Sequence, residues 1–248
     1  MSILDETYRV AWGDLQYMKG NIVEVLLSSL IGPLLYLLAF GFGIGGTMDD
    51  PNSYVLYIIP GIIALTTLSS TFSTVSMKVL VQRLFYMSFD ELLLCPIHIS
   101  SIILGKTVQG IVRALISCTI LMVVGWIICP DVKPGPWVFL AIILGSFMFS
   151  LLGLLAGMLT NKTQNLSLFS SIVVVPMTFL CGTIFNLDVL PDVVAGIIYV
   201  LPLTHVSNLM RGIMLPDYTV GIDSIIIILI YIAVMFAVCY YLIKKNKC

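Results

Sequence analysis

Few side chains in this sequence are of a type that could do chemistry, and their spacing argues against most of it. The only histidines are His98 and His205. In the topology read below they fall on opposite sides of a membrane, so no Ser/His/Asp set or metal-spaced cluster can be assembled from them. Gly105-Lys106-Thr107 ends like a phosphate-binding loop. The first glycine of that motif would have to stand where Ser100 does, and no strand precedes it, so it is not read as a nucleotide site. The six cysteines (95, 118, 129, 181, 239, 248) lack CxxC spacing and mostly lie inside apolar runs. They read as small membrane residues, not as a disulfide or metal framework. Catalysis and metal binding within the chain are therefore not expected.

Two charges do stand where a charge is expensive. Glu24 comes one turn into the first long apolar run and Arg113 about two turns into the third. An intramembrane charge faces protein or a water-filled cavity and finds a partner. One expectation is that Glu24 and Arg113 lie at similar depth and pair. The alternative is that each snorkels to the headgroups. Thr66, Thr67, Ser69, Ser70, Thr71, Ser73 and Thr74 make much of the second run polar but uncharged. Those hydroxyls can bond back to their own helix, glue helices together, or line a path for an amphipathic substrate.

The longest hydrophilic interruption on the basic side is residues 77–106. Within it, Ser88-Phe89-Asp90-Glu91 has the form of a capping box, with Ser88 as N-cap and Glu91 three residues on. Asp90 and Glu91 also suit the positive end of a helix dipole. Leu92, Leu93 and Leu94 follow, and Pro96 closes the piece after barely two turns. A short helix outside the hydrocarbon is expected here. It reads either as a structured loop or as a docking element that receives force from another protein.

The elements that must position these residues follow from composition. The chain has 248 residues, is 59% hydrophobic and 10% charged, and has a mean hydropathy of +1.09. A soluble domain of that size cannot hide so much apolar surface, so the fold class expected is all-α and polytopic in a membrane. Six runs are long enough to cross about 30 Å of hydrocarbon: 22–44, 54–76, 102–128, 137–159, 166–185 and 224–243. Residues 2–20 are no signal peptide, because the first apolar run comes late and Asp5, Glu6, Arg9, Asp14 and Lys19 intervene. Leu4, Tyr8, Ala11, Leu15 and Met18, with Trp12 beside them, form one apolar face with the charges largely elsewhere, which suits an interfacial helix. The patch at 193–200 is too short to span, so residues 186–221 read as a helical cap that dips back into the membrane edge. The glycine pairs Gly41/Gly45 and Gly153/Gly157 permit close helix contact, and Pro33, Pro60 and Pro176 would bend three spans.

Charge placement sets the orientation. With both termini on one side, that side receives Arg9, Lys19, Lys78, Arg83, Lys106, Lys162, Lys244, Lys245 and Lys247, and the other receives only Lys133 and Arg211. Both termini and residues 77–106 are accordingly expected in the cytoplasm. The glycosylation-like Asn161-Lys162-Thr163 falls on that side too and is a chance match.

A family resemblance emerges at the cytoplasmic segment and the cap. Asp90-Glu91-Leu92-Leu93-Leu94-Cys95-Pro96-Ile97 followed by Leu104-Gly105-Lys106 resembles the "EELL-x-x-P … LGK" segment of type-2 ABC exporter permeases. Met177-Thr178-Phe179-Leu180-Cys181-Gly182-Thr183-Ile184-Phe185, then Leu190-Pro191, is similar to the end of their fifth span and the start of the outer cap. Leu201-Pro202-Leu203-Thr204-His205-Val206, then Leu209-Met210-Arg211-Gly212, resembles their "PLTH … LRG" segment. The likeness covers essentially the whole chain and is closest to permeases of drug-resistance and nodulation-factor export. Cys95 and Cys181 stand where small or small polar residues are expected.

The resemblance implies a single transmembrane domain, residues 1–248, that supplies the membrane half of an ATP-driven exporter. ATP and magnesium would be bound by a separate ABC ATPase in two copies, with no cofactor in this chain. A second permease chain, identical or related, would face this one in the bilayer, and no nucleic acid is involved. Residues 84–95 would be the coupling helix, with Arg83, Phe85, Ser88, Asp90, Glu91, Leu93, Leu94 and Pro96 forming the ATPase contact. Phe185, Pro191, Pro202, Thr204, His205, Arg211 and Gly212 would belong to the outer cap and gate. Cargo would be amphipathic: a drug, a lipid or a lipid-linked saccharide. The runner-up is an ATP-independent channel or secondary transporter, and a third reading is a membrane anchor for an ATPase. Only Glu24 offers an intramembrane carboxylate for proton coupling, and no inverted repeat is evident.

Overall fold

The computed structural model describes residues 2–44, 51–130, 135–180, 196, 198–215, 218 and 221–247. Among them there is no strand, and six helices are long and apolar enough to cross a membrane: Ile22–Gly41, Tyr54–Leu84, Ile99–Ile128, Trp137–Leu159, Thr163–Leu180 and Ile222–Lys245. The chain is an all-α, multi-pass membrane protein. Successive helices are α1 (Ile3–Gly20), α2 (Ile22–Tyr36), α3 (Pro51–Leu84), α4 (Ser88–Leu94), α5 (Ile99–Ile128), α6 (Trp137–Leu159), α7 (Thr163–Phe169), α8 (Val175–Leu180), α9 (Pro202–Met214) and α10 (Ile222–Lys247). A π-helical stretch, Leu37–Ile44, prolongs α2, and another, Ser170–Val174, joins α7 to α8.

Those π segments have a local cause. Pro33 and Pro176 lack the N–H that a regular turn needs, and the chain changes register beside each of them. α3, in contrast, stays α-helical through Pro60. It also runs to Leu84, eight residues beyond the end expected from hydropathy, because Val75, Val79 and Leu80 continue to be buried there.

The core lies between α3 and α6. In their most apolar windows 83% and 72% of residues are buried, against 11% for α2 and α10, so α3 and α6 are central and the others leave broad apolar faces uncovered. Gly153 and Gly157 are what bring the two axes together. A Cβ at Gly153 would lie 2.9 Å from the Phe72 carbonyl oxygen, and one at Gly157 would lie 2.7 Å from that of Ser76. These contacts leave no room for any side chain, as expected of a GxxxG face.

α1 departs from the one-face reading. Ala11 and Met18 of the expected apolar stripe turn inward, while Leu4, Tyr8 and Trp12 stay exposed. The inward face also carries Glu6 and Asp14, which are 4% and 5% exposed. The helix therefore presents an apolar stripe outward and grips the bundle partly through carboxylates. Gly105 of α5 permits that grip, since a Cβ there would come within 2.6 Å of Val10 Cγ1.

Candidate functional site

Two regions gather the residues singled out from sequence, both at the end of the bundle that carries the two termini. The first is α4. Phe89 is fully buried and Leu93 is 6% exposed, in one apolar cluster with Val75, Val79, Ile102, Ile103, Leu154 and Ile243. Burying two such side chains contributes on the order of 2 kcal/mol each, which fixes the short helix to the bundle. Its other face is open. Asp90, Glu91, Leu94 and Pro96 are exposed, with Phe85, Tyr86 and Met87 on the preceding turn. Leu94 is 87% exposed, beyond any packing role within this chain.

The start of α4 differs from the capping-box expectation. Ser88 is the first helical residue, not the N-cap, and no side chain caps the helix. Met87 takes that position in the left-handed region (φ 56°, ψ 3°), and its carbonyl accepts from the amides of Asp90 and Glu91. The helix expected over 84–95 is correspondingly shorter, Ser88–Leu94, because Leu84 still belongs to α3. Arg83 does not join the open face. Its guanidinium donates to the Gly157 carbonyl at 3.2 Å, to the Met158 carbonyl and to Asn161 Oδ1 at 2.7 Å. It satisfies the last carbonyls of α6, which have no intrahelical donor.

α1 is tied to the base of α5 by two polar contacts that the periodicity gave no reason to expect. Glu6 accepts from the backbone N–H of His98 at 3.0 Å and meets its Nδ1 at 3.0 Å. The donated backbone N–H, aided by the imidazole and the Ser101 hydroxyl, outweighs burial and holds the Glu6 carboxyl down at about 2. Asp14 accepts from Lys106 Nζ at 3.1 Å and from Gln82 Nε2 at 3.2 Å, and lies 3.0 Å from Lys78 Nζ. Gln82 Oε1 completes the Lys106 contacts at 2.7 Å. The "LGK" triplet thus has a structural reason: the glycine admits α1 and the lysine reaches its carboxylate.

The second region surrounds Arg113. The expected ion pair with Glu24 is absent: among the described residues, no ion pair involves either group. Glu24 is exposed. Arg113 Nε instead donates to Ser29 Oγ at 2.7 Å, Nη1 to Thr74 Oγ1 at 2.7 Å, and Nη2 to Ser28 Oγ at 2.8 Å and the Val25 carbonyl at 3.5 Å. Arg113 thus meets hydroxyls about one turn further along α2 than Glu24, which shares a helix face with Ser28 but sits nearer the start of the helix.

Arg113 stands where two recesses meet. One, about 260 Å³, runs between α2 and α3 past Ser29, Tyr36, Thr66, Ser69, Ser70 and Ser73. The other, about 680 Å³, is bounded by α1, α2, α3 and α5 and reaches Tyr86 and Ser88 at the foot of α4. Ser73 borders both. The hydroxyl ladder of α3 bonds back to its own helix: Thr66, Thr67, Ser70, Thr71, Ser73 and Thr74 donate to carbonyls one turn back. Some of the same side chains also border these two recesses.

At the far end, α9 is buried on α3, α6 and α10. Pro202 opens the helix, Thr204 Oγ1 donates to the Ile198 carbonyl at 2.8 Å, and His205 Nε2 bonds the Tyr199 carbonyl at 2.8 Å. Arg211, only 2% exposed, lies over the Tyr57 ring at 3.9 Å from its centroid. Gly212 borders a 480 Å³ apolar crevice with Trp137, Leu140 and Ile225. Phe185 and Pro191 lie outside the described residues. No group of three or more His, Cys, Asp or Glu that could hold a metal occurs among the described residues.

A bundle of six helices long and apolar enough to span, with a first helix that keeps an apolar stripe outward and a short helix with an open outer face, defines a multi-pass membrane protein. Its family follows from sequence comparison: the ABC-2 type transporter profile matches residues 6–215, and the chain belongs to that family. It is 26% identical over 230 residues to the inner membrane transport permease YadH of Escherichia coli (strain K12), covering 91% of this chain and 89% of that one. It is 27% identical over 224 residues to nodulation protein J of Sinorhizobium fredii (strain NBRC 101917 / NGR234), covering 88% and 84%. With nodulation protein J of Neorhizobium galegae the identity is 25% over 229 residues, covering 89% and 86%. The chain is a membrane subunit of a transporter.

Proposed function

We propose that this chain is the permease half of an ATP-driven exporter whose motor is a separate ABC ATPase. The observation that carries the reading is α4, clamped inside by Phe89 and Leu93 and bare outside at Asp90, Glu91 and Leu94. A lever needs both properties, since a loose segment would absorb a push and a covered one could not receive it. In this reading two ATPase subunits dock beneath two permease chains, which are identical or closely related. Their ATP-driven closure moves α4 and, through the Glu6 and Asp14 anchors, α1. The spans then rock as packed bodies instead of deforming locally. The basic bias puts both termini and α4 in the cytoplasm, and α9 forms part of an outer gate. Cargo is amphipathic and follows the polar path along α3 past Arg113.

The test is co-expression with the cognate ATPase. Leu93→Pro is expected to abolish co-purification while the permease stays monodisperse in detergent. Asp90→Lys with Glu91→Lys is expected to weaken it. Unchanged ATPase recovery and transport in both variants would defeat the reading and favour a channel or secondary transporter.

A further inference from the structure

Cationic charge in the larger recess exceeds its local carboxylate. Lys78 lines it beside Arg113, and Lys106 stands just behind. One carboxylate, Asp14, is shared by both lysines, at 3.0 Å and 3.1 Å. Arg113 contacts only neutral oxygens, and Glu24 forms no ion pair with any of them. Three cations against one carboxylate leave two positive charges in a half-buried space, where charge is screened less than in water.

The walls say what kind of anion would fit. Val25, Met77 and Val81 make one side apolar, and exposed Tyr17 and Tyr86 stand at its edge. A cavity of 680 Å³ is larger than an inorganic ion needs and suits a headgroup with the start of its chain. A carboxylate would offset half of the surplus charge, whereas a phosphomonoester carries nearly two negative charges near neutral pH. Arginine and lysine together are also the usual partners of phosphate oxygens.

We propose that the recess between α1, α2, α3 and α5 binds the phosphate headgroup of an anionic amphiphile, with Arg113 and Lys78 as its charge partners. This rests on the exporter reading for the view that the bound amphiphile is cargo; the binding itself does not. Seated there, the headgroup touches α1 and α3 and lies beside the foot of α4, so it would bias the elements that the motor moves.

The experiment measures binding of phosphatidic acid to the full chain, purified in detergent without the ATPase, by native mass spectrometry and titration calorimetry. Saturable binding is expected, with phosphatidylcholine at least tenfold weaker. Arg113→Gln and Lys78→Gln should each weaken it by roughly tenfold, one lost charge-assisted contact apiece. Arg113→Lys should restore most of it, and Lys244→Gln with Lys245→Gln, exposed at the end of α10, should change nothing. Thermal unfolding of each variant separates lost binding from lost fold, and Arg113→Lys keeps the test open if the glutamine variant does not fold. Equal binding by both glutamine variants, or by phosphatidylcholine, overturns the proposal. Displacement of the lipid by inorganic phosphate at equal concentration also overturns it, since the site would then be one for free phosphate. Absent lipid binding with ATPase recovery intact defeats this inference alone. Intact lipid binding without an ATPase partner defeats the exporter reading alone.

Discussion

At the scale of single residues, the carboxylates of α1 carry more weight than their sequence positions suggest. Glu6 and Asp14 look like ordinary surface acids on an amphipathic helix, yet both are buried against α5. Apolar periodicity finds the face that avoids water, and it is blind to a charged face that meets a buried cation. Removing the Asp14 charge should therefore be costly, because Lys106, only 4% exposed, would lose its counter-ion. Asp14→Asn is expected to cost about 3 kcal/mol in thermal unfolding, and Asp14→Asn with Lys106→Gln less than the two single changes added. Glu6 predicts an acid response. Its carboxyl is held at about 2 in the folded chain, below the ordinary 4.5. A lowered folded-state value means that its stabilisation is complete above about 4.5 and fades as pH falls toward about 2. Proteolysis within α1 should rise across that window, and Glu6→Gln should be open to protease already at neutral pH. Glu24 and Arg113 do not pair because the two are not level: the α2 groups that Arg113 reaches include Ser28, one turn further along the same face.

At the scale of elements, the spans were largely legible. The run at 137–159 reproduces α6, since twenty-odd apolar residues bounded by turn signals leave little freedom. Gly153 and Gly157 were legible as a contact face, though not which helix they would meet. Gly157→Val should lower stability by about 1–3 kcal/mol, because backbone oxygen lies where its Cβ must go. Gly13→Ala, where nothing lies within 4 Å, should stabilise α1 by about 0.5–1 kcal/mol, and calorimetry on the two proteins would separate them. The beginning of α4 was misread because Ser-x-x-Glu describes a cap only if the chain enters in extended conformation. Here α3 runs on to Leu84 and turns sharply through Met87, which leaves Ser88 inside the helix. Arg83 is close to α4 in sequence, but it lies in the last turn of α3 and from there reaches the end of α6.

At the scale of the whole molecule, the proposed exporter requires that charge asymmetry hold α4 in the cytosol, within reach of a motor. Hydropathy and composition make the membrane character of the chain plain, and three spaced motifs pointed to the ABC-2 family that the profile match establishes. Orientation is a matter of lysines and arginines beyond the spans, and it is directly measurable. Cys95, at the end of α4, is exposed, while Cys118, Cys129 and Cys239 are buried. With Cys181 and Cys248 replaced by serine, a membrane-impermeant maleimide should label Cys95 in inverted membrane vesicles and not in intact cells. Labelling from outside intact cells would contradict the topology and, with it, the motor contact and the exporter.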